Sequence, residues 1–329
     1  MVIFGGEDFG FMNDTWALSL TAFTWESLDD PRRLFDSPRR NHSMVNAGGT
    51  MVVFGGDSPT PRDDTAELRL TAIPSWQTVG PATKPSARSG HHAIYDAPRN
   101  RVLIFGGYSG VLLNDAHAYS PASATWQPVV TSGTLPSPRV FYAMVYDPVR
   151  QRMLVIGGQP SLMNDVWALS LSGSPQWTQL SPAGVAPTPR HSHHAIYQPG
   201  PDRILVFGGF DGSYRNDVWA LSLAGTPTWT QILPSGTPPE GRLAAAVVFD
   251  AVRNRMVVFG GYDGVVPRAD VWALAAITYE CITGTVPFQG VNGPSILLSI
   301  LTKDPEPPTR AGRVGPSPSP RTGRSRPAR

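Results

Sequence analysis

The chain has few of the features that mark secreted or membrane proteins. Of its 329 residues only Cys281 is a cysteine, which excludes an internal disulfide framework and leaves the redox compartment undecided. It contains no run of about 18 apolar residues, so a membrane-spanning helix is not expected. A signal peptide is not expected either, because the chain opens directly on the strand-like sequence MVIFGG. These absences favour the cytoplasm and no membrane association, without assigning a compartment.

Glycine, by contrast, is frequent and evenly placed. Six Gly-Gly pairs recur at steps of 50 to 52 residues. The pairs are Gly5-Gly6, Gly55-Gly56, Gly106-Gly107, Gly157-Gly158, Gly208-Gly209 and Gly260-Gly261. Self-similarity at this period indicates one supersecondary unit copied in series.

Each repeat unit has the pattern of four short strands. An arginine opens the unit and a hydrophobic run leads into the glycines; an acidic turn with a third run follows, and a lone tryptophan marks the fourth. Short runs separated by Gly, Pro, Asp and Ser are typical of an antiparallel sheet. The second run is apolar throughout in five copies, as in VLIF at 102–105, which predicts a strand covered on both faces. Blades stacked radially in a propeller provide that cover.

These four spaced signals together resemble the kelch repeat, whose period is about 50 residues. The resemblance covers residues 1–274 and implies an all-β propeller of the galactose oxidase central-domain type. About six four-stranded blades are expected, with the first and last incomplete, because the first unit lacks its arginine-led strand and no tryptophan follows Trp272. We therefore expect no regular outer strand in the sixth unit. We also expect incompletely covered faces at Val2, Ile3 and Phe4, and a tendency to aggregate.

Residues 275–302 leave the repeat pattern and resemble the C-lobe of Ser/Thr protein kinases just beyond the activation segment. The matching residues, which begin inside the last repeat, are Asp270, Trp272, Tyr279, Glu280, Thr283, Gly284, Pro287 and Phe288. Ala275 departs from the glycine of that family. The resemblance implies a kinase remnant joined to the propeller by recombination or by a sequence assembly error; a diverged final blade is the alternative.

Kinase activity itself is not expected. The chain has no kinase-type Gly-rich phosphate loop, no V-A-I-K lysine, no H-R-D loop and no D-F-G motif, and phosphoryl transfer depends on those parts. Within the kinase-like segment, the apolar spacing predicts a helix around residues 294–301.

The last region, residues 303–329, is rich in proline and arginine. It holds seven basic and two acidic residues, a net charge of +5, so the rest of the chain carries −3. Because it has little apolar surface to bury, we expect a disordered, solvated tail. Nucleic-acid binding is disfavoured, because no aromatic residues lie between the charges.

Two recurring polar patterns could suggest metal sites. The first is the histidines that follow the opening arginine in three units, namely His42, His91, His92, His193 and His194. Other units have Tyr142-Ala143 and Ala245-Ala246 there, which favours packing or channel lining. The second is the Asn-Asp pairs, such as Asn164-Asp165, which lack the dense oxygens of a calcium loop and indicate turn capping. No metal and no cofactor are expected.

A binding role is the remaining interpretation. Kelch propellers present loops at one rim of the ring to partners, and in a stress-response adaptor of this family arginine at the unit-opening position binds acidic peptides. The candidate binding residues are the opening arginines and the aromatic residues after the glycines: Arg39, Arg88, Arg139, Arg190, Arg242, Tyr108, Phe210, Tyr214 and Tyr262. For the arginines, an ion pair within each blade is the alternative.

Three functions follow from these observations. The preferred one is a non-catalytic, monomeric scaffold that binds an unidentified protein or peptide, with acidic peptides as one candidate. The alternative is the sensor or scaffold portion of a kelch–kinase fusion that lacks its catalytic core. A propeller enzyme is least favoured, because the copper oxidases with this fold use a Tyr–Cys cross-link and Cys281 lies in the kinase-like segment.

Overall fold

In the described part of the chain, short apolar runs between glycine, proline and aspartate turns form 24 β-strands, which are grouped into six sheets. The computed structural model describes residues 1–7, 10–29, 37–275 and 278–281. The strands of the first three sheets are β1 (Val2–Glu7), β2 (Phe11–Leu18), β3 (Trp25–Ser27), β4 (Ser43–Ala47), β5 (Thr50–Phe54), β6 (Thr65–Arg69), β7 (Ser75–Val79), β8 (His92–Asp96), β9 (Arg101–Tyr108), β10 (Leu112–Ser120) and β11 (Thr125–Pro128).

The remaining three sheets continue the same pattern. Their strands are β12 (Ser132–Gly133), β13 (Ala143–Asp147), β14 (Arg152–Gly158), β15 (Met163–Ser170), β16 (Gln176–Leu180), β17 (His194–Gln198), β18 (Arg203–Phe210), β19 (Tyr214–Ser222), β20 (Thr228–Ile232), β21 (Ala246–Asp250), β22 (Arg255–Phe259), β23 (Val271–Ala275) and β24 (Thr278–Cys281). One 3₁₀ turn, Ala97–Arg99, is the helical element of the described residues.

Each sheet is one blade, and sequential strands within it pair antiparallel. The blades contain β1–β3, β4–β7, β8–β11, β13–β16 with the short β12 added at its outer edge, β17–β20 and β21–β24. The predicted all-β propeller of about six blades is therefore confirmed. The first blade has three described strands, as the sequence pattern indicated.

The apolar second strands lie at the centre of the packing, because each blade is covered by neighbours on both faces. In β9, for example, Leu103 and Phe105 face the fourth blade, whereas Val102 and Ile104 face the second. All four are at most 1% exposed. Six such apolar layers separate the six blades, and they account for most of the core.

The ring closes through the layer between the sixth and first blades. Trp25 packs on Phe259 with ring centroids 4.8 Å apart and an interplanar angle of 56°. The interior pair Phe54–Trp126 has nearly the same geometry, 4.7 Å and 54°. The expectation of incompletely covered terminal faces was wrong for Phe4, which is 5% exposed and packs in the layer with the second blade.

The sixth blade also differs from expectation, because it has an outer strand. β24 pairs with β23, and Tyr279 lies opposite Leu274, just as Trp229 lies opposite Leu221 in the fifth blade. The sequence pattern does not reveal this strand, because a tyrosine occupies the register position that tryptophan has in the fifth blade. The sixth sheet therefore extends to Cys281.

The Gly-Gly pairs end the second strands where other backbone segments come very close. Gly55 has a φ of +64°, and a Cβ at this position would lie 2.6 Å from the carbonyl oxygen of Arg88. Glycine is therefore required there on two grounds, conformation and space. Among the described residues, no helix is long and apolar enough to cross a membrane. The helix predicted at 294–301 and the tail at 303–329 lie outside the described residues.

Candidate interaction face of the propeller

One end of the ring carries most of the residues singled out in the sequence. The second strand of every blade runs towards this end, where the Gly-Gly pairs, the connections to the third strands and the segments that lead into the opening arginines meet. We call this end the upper face. The opposite end, the lower face, holds the turns between first and second strands, such as 148–151 and 251–254.

The five opening arginines lie beneath the upper face and are at most 2% exposed. Arg139 is representative: it donates to both carboxylate oxygens of Asp165 at 2.8 and 2.9 Å and to the carbonyl of Gly157 at 3.0 Å. The same Asp165 accepts a hydrogen bond from the indole nitrogen of Trp167 at 2.7 Å. Burial alone would raise the pKa of Asp165, but these hydrogen bonds hold it below its ordinary value. The arrangement is the ion pair within each blade that was the alternative to peptide binding.

The Asn-Asp pairs belong to the same internal network. In three of the four pairs the aspartate accepts hydrogen bonds from the opening arginine of its own blade, and the asparagine amide donates to a proline carbonyl in the segment that leads to the next blade, as Asn164 does to Pro187 at 3.0 Å. In the fourth pair, Asp14 accepts from the indole nitrogen of Trp16 instead. The expected turn capping by these side chains was therefore wrong, because they tie neighbouring segments together. Asp270 and Trp272, the first residues of the kinase-like match, have this kelch role: Asp270 pairs with Arg242 and accepts from Trp272.

The histidines fall into two groups. His42 and His91 pack edge-on against Phe4 and Phe54, at centroid distances of 5.3 and 5.5 Å. Burial, together with Arg39, lowers the pKa of His42 to about 3. In the second group His92 and His194 approach each other to 5.5 Å. No group of three His, Cys, Asp or Glu residues in the described part of the chain could hold a metal ion.

The aromatic residues after the glycines do reach the upper face. Phe210, Tyr214 and Tyr262 form part of a continuous row, with centroids 5.0 Å apart for the first two and 5.9 Å for the last two. His191 and Phe141 extend the row from Phe210 at 5.6 and then 6.4 Å. Tyr262 is 38% exposed. Tyr108 is 45% exposed and lies in the third blade.

The sequence reasoning missed two sets of upper-face residues. Phe141 lies two residues after the opening arginine Arg139, and His191 lies directly after Arg190. The second set comprises exposed aliphatic residues in the connections after the glycines: Val111, Leu162, Val265 and Val266. The sequence did carry a signal for this second set, because apolar residues are unusual in connections that are otherwise polar.

A groove of about 670 Å³ opens beside the aromatic row, between the fifth and sixth blades. Phe210, Tyr214 and Val265 form its apolar walls, and Glu240, Asp263 and Arg268 are its charged residues. Arg268 pairs with both carboxylates. The groove thus combines aromatic surface with a net negative charge, because two carboxylates and one guanidinium group line it.

Comparisons with known proteins agree with this architecture. A family profile described as the KLHDC2/KLHL20/DRC7 Kelch-repeats domain matches residues 1–158 and 147–292. The chain is similar to the host cell factor homolog hcf-1 of Caenorhabditis elegans, with 28% identity over 74% of this chain and 34% of that protein. It is 29% identical to human host cell factor 2 over 68% of this chain and 30% of that protein.

A plant protein also matches: acyl-CoA-binding domain-containing protein 4 of Arabidopsis thaliana is 25% identical over 80% of this chain and 42% of that protein. The matches therefore span less than half the length of these relatives. None of the comparisons supports the resemblance to a kinase C-lobe, and the kelch profile extends into that segment. The chain belongs to the kelch-repeat family.

Proposed function

We propose that this chain is a non-catalytic scaffold that binds a protein or peptide through the upper face of its propeller. The observation that carries the proposal is the continuous row of aromatic rings on that face, which runs from Phe141 through His191, Phe210 and Tyr214 to Tyr262. Tyr262 is exposed, and so are Val265 and Val266 in the same connection. Apolar side chains exposed together on a rigid scaffold are typical of interaction surfaces.

The accessible contacts on this face favour a partner that binds aromatic side chains over the acidic peptide that the arginines suggested. Because all five opening arginines are buried and bonded to aspartates, an acidic peptide would have to break those pairs to reach them. Aromatic anchors such as Tyr214 and Tyr262 are the more accessible contacts, and tyrosine is enriched among the residues that dominate interface energies. The chain is similar in sequence to relatives named host cell factor over part of their length, which agrees with a scaffold role.

The experiment is a peptide-display selection against the immobilised chain, followed by affinity measurements on variants. Val265→Asp lies on the upper face, and Val252→Asp, also on an exposed valine, is the matched control on the lower face. We expect selected peptides to bind the Val265 variant about tenfold or more weakly, because a central contact contributes about 1–2 kcal/mol, and to bind the control unchanged. Equal affinity for both variants would contradict the proposal.

A further inference from the structure

The strongest unassigned feature is the charge imbalance of the groove between the fifth and sixth blades. Asp263 accepts hydrogen bonds from the backbone nitrogens of Val265 and Val266 at 2.8 Å and from Arg268, so its carboxylate is fully used. Glu240 shares that same Arg268, and its side chain is 67% exposed. The groove therefore offers one accessible carboxylate beside the rings of Phe210 and Tyr214.

This combination suits an arginine side chain. A guanidinium group stacks on aromatic faces and binds a carboxylate through two parallel hydrogen bonds. A carboxylate ligand, in contrast, would be repelled by Glu240, because the two groups carry charges of the same sign. The groove thus selects for a cationic, planar group.

The chain carries such groups in its own tail. Residues 310–329 contain six arginines and no acidic residue, namely Arg310, Arg313, Arg321, Arg324, Arg326 and Arg329. The part of the chain before this tail has a net charge opposite to it in sign.

The path of the chain brings the tail to the correct end of the ring. β24 runs antiparallel to β23, and Cys281 pairs with Trp272 near the upper end of the sixth blade. Trp272 is only four residues from Arg268 of the groove, a separation of at most about 14 Å along the chain. The 28 residues from 282 to 309 can cover this distance several times over.

We propose that the arginine-rich tail, residues 310–329, docks in the groove formed by Phe210, Tyr214 and Glu240 of the same molecule. The groove belongs to the upper face on which the proposed function rests. A docked tail would compete there with an outside partner. Docking of the tail can be measured without an outside partner, so tail docking and partner binding can each be disproved independently of the other.

The test is the rate at which trypsin cleaves the full chain after Arg321 and Arg324, followed by mass spectrometry. Cleavage of a tethered segment follows the population of its released state. If the tail binds with a dissociation constant of about 100 μM, an effective concentration of about 1 mM gives roughly tenfold slower cleavage than in a free 310–329 peptide. Glu240→Gln and Tyr214→Ala should each restore most of the rate of the free peptide.

Matched variants separate docking from general effects. Glu26→Gln removes an exposed carboxylate from the first blade and Ile73→Ala removes an exposed apolar side chain from the second, and both should leave the tail protected. Protection should also be independent of protein concentration. The inference is overturned if the tail is cut as fast as the free peptide, if the groove variants do not change the rate, or if dilution abolishes protection, which would show docking on a second copy.

Discussion

At the scale of the residue, the most consequential side chains are the opening arginines, which hold each blade together from within. Each one links the end of a second strand to the start of a third through a glycine carbonyl and an aspartate. Their repetition could be predicted from the sequence, but their burial could not. The reason is that the same arginine pattern fits a ring of exposed cations and a set of internal ion pairs equally well.

Removing one of these arginines should be costly. In Arg139→Leu, Asp165 would keep its charge with only Trp167 as a side-chain partner. Breaking a buried pair from one side typically costs about 3–5 kcal/mol. Lys84→Met is the control, because Lys84 and its partner Asp63 are 44% and 40% exposed, and their ion pair is worth at most about 1 kcal/mol. Urea unfolding followed by tryptophan fluorescence measures both, and similar losses would contradict the role assigned to Arg139.

The buried histidines predict a pH dependence of stability. Burial lowers the pKa of His42 and His193 to about 3, and that of His194 to about 4. Because the unfolded chain binds these protons near pH 6.5, stability is full above that pH and falls as the pH drops towards the folded values. Each such histidine contributes a slope of about 1.4 kcal/mol per pH unit within this window.

Melting temperatures between pH 7 and pH 4.5 test this expectation. The wild type should lose stability steadily over this range. His193→Ala, which copies Ala245 of the sixth unit, should show a shallower slope. His117→Gln, in which the replaced histidine pairs with Asp115 near the surface, is the control. A slope that is the same in His193→Ala as in the wild type would argue against the buried, neutral state of His193.

At the scale of the element, the linkers between blades protect the outer strand edges. The segment before the fifth blade runs parallel to β20: Ala183 donates to the carbonyl of Pro227, and Trp229 donates to the carbonyl of Ala183, both at 2.8 Å. β12 has the same position on the fourth blade. These contacts cover part of an edge that would otherwise expose unpaired backbone groups.

Gly184 is the residue that permits this close approach. A Cβ there would lie 2.4 Å from the carbonyl oxygen of Trp229, and the φ of Gly184 is +80°. Gly184→Ala should therefore displace the linker and speed amide exchange at Trp229. Gly225→Ala is the control in the same blade, because its φ is also positive at +67° but nothing lies within 4 Å. Unchanged exchange at Trp229 in Gly184→Ala would show that the linker contributes no protection.

The strands themselves could largely be predicted, because period-2 patterns and the constant glycine step fix their order and number. The outer strand of the sixth blade could not. There the tryptophan that marks the other outer strands is replaced by Tyr279, and only the pairing with Leu274 reveals the strand. The upper-face groove was equally hidden, since it combines residues from two blades that are distant in the sequence.

At the scale of the whole molecule, the ring is held by six apolar layers, one between each pair of neighbouring blades. If the closing layer between the sixth and first blades is as important as the others, Trp25→Ala should destabilise the chain about as much as Trp126→Ala, by about 3–5 kcal/mol. Chemical unfolding of both variants gives the comparison. A much smaller loss for Trp25→Ala would mean that the first and sixth blades do not depend on each other.

The proposed function places partner recognition on the upper face. Hydrogen–deuterium exchange of the chain with and without a peptide selected by display tests it most directly. We predict slower exchange in the connections at 108–112, 210–214 and 262–266, and no change in the lower-face turns at 148–151 and 251–254. Protection confined to the lower-face turns would contradict the claim.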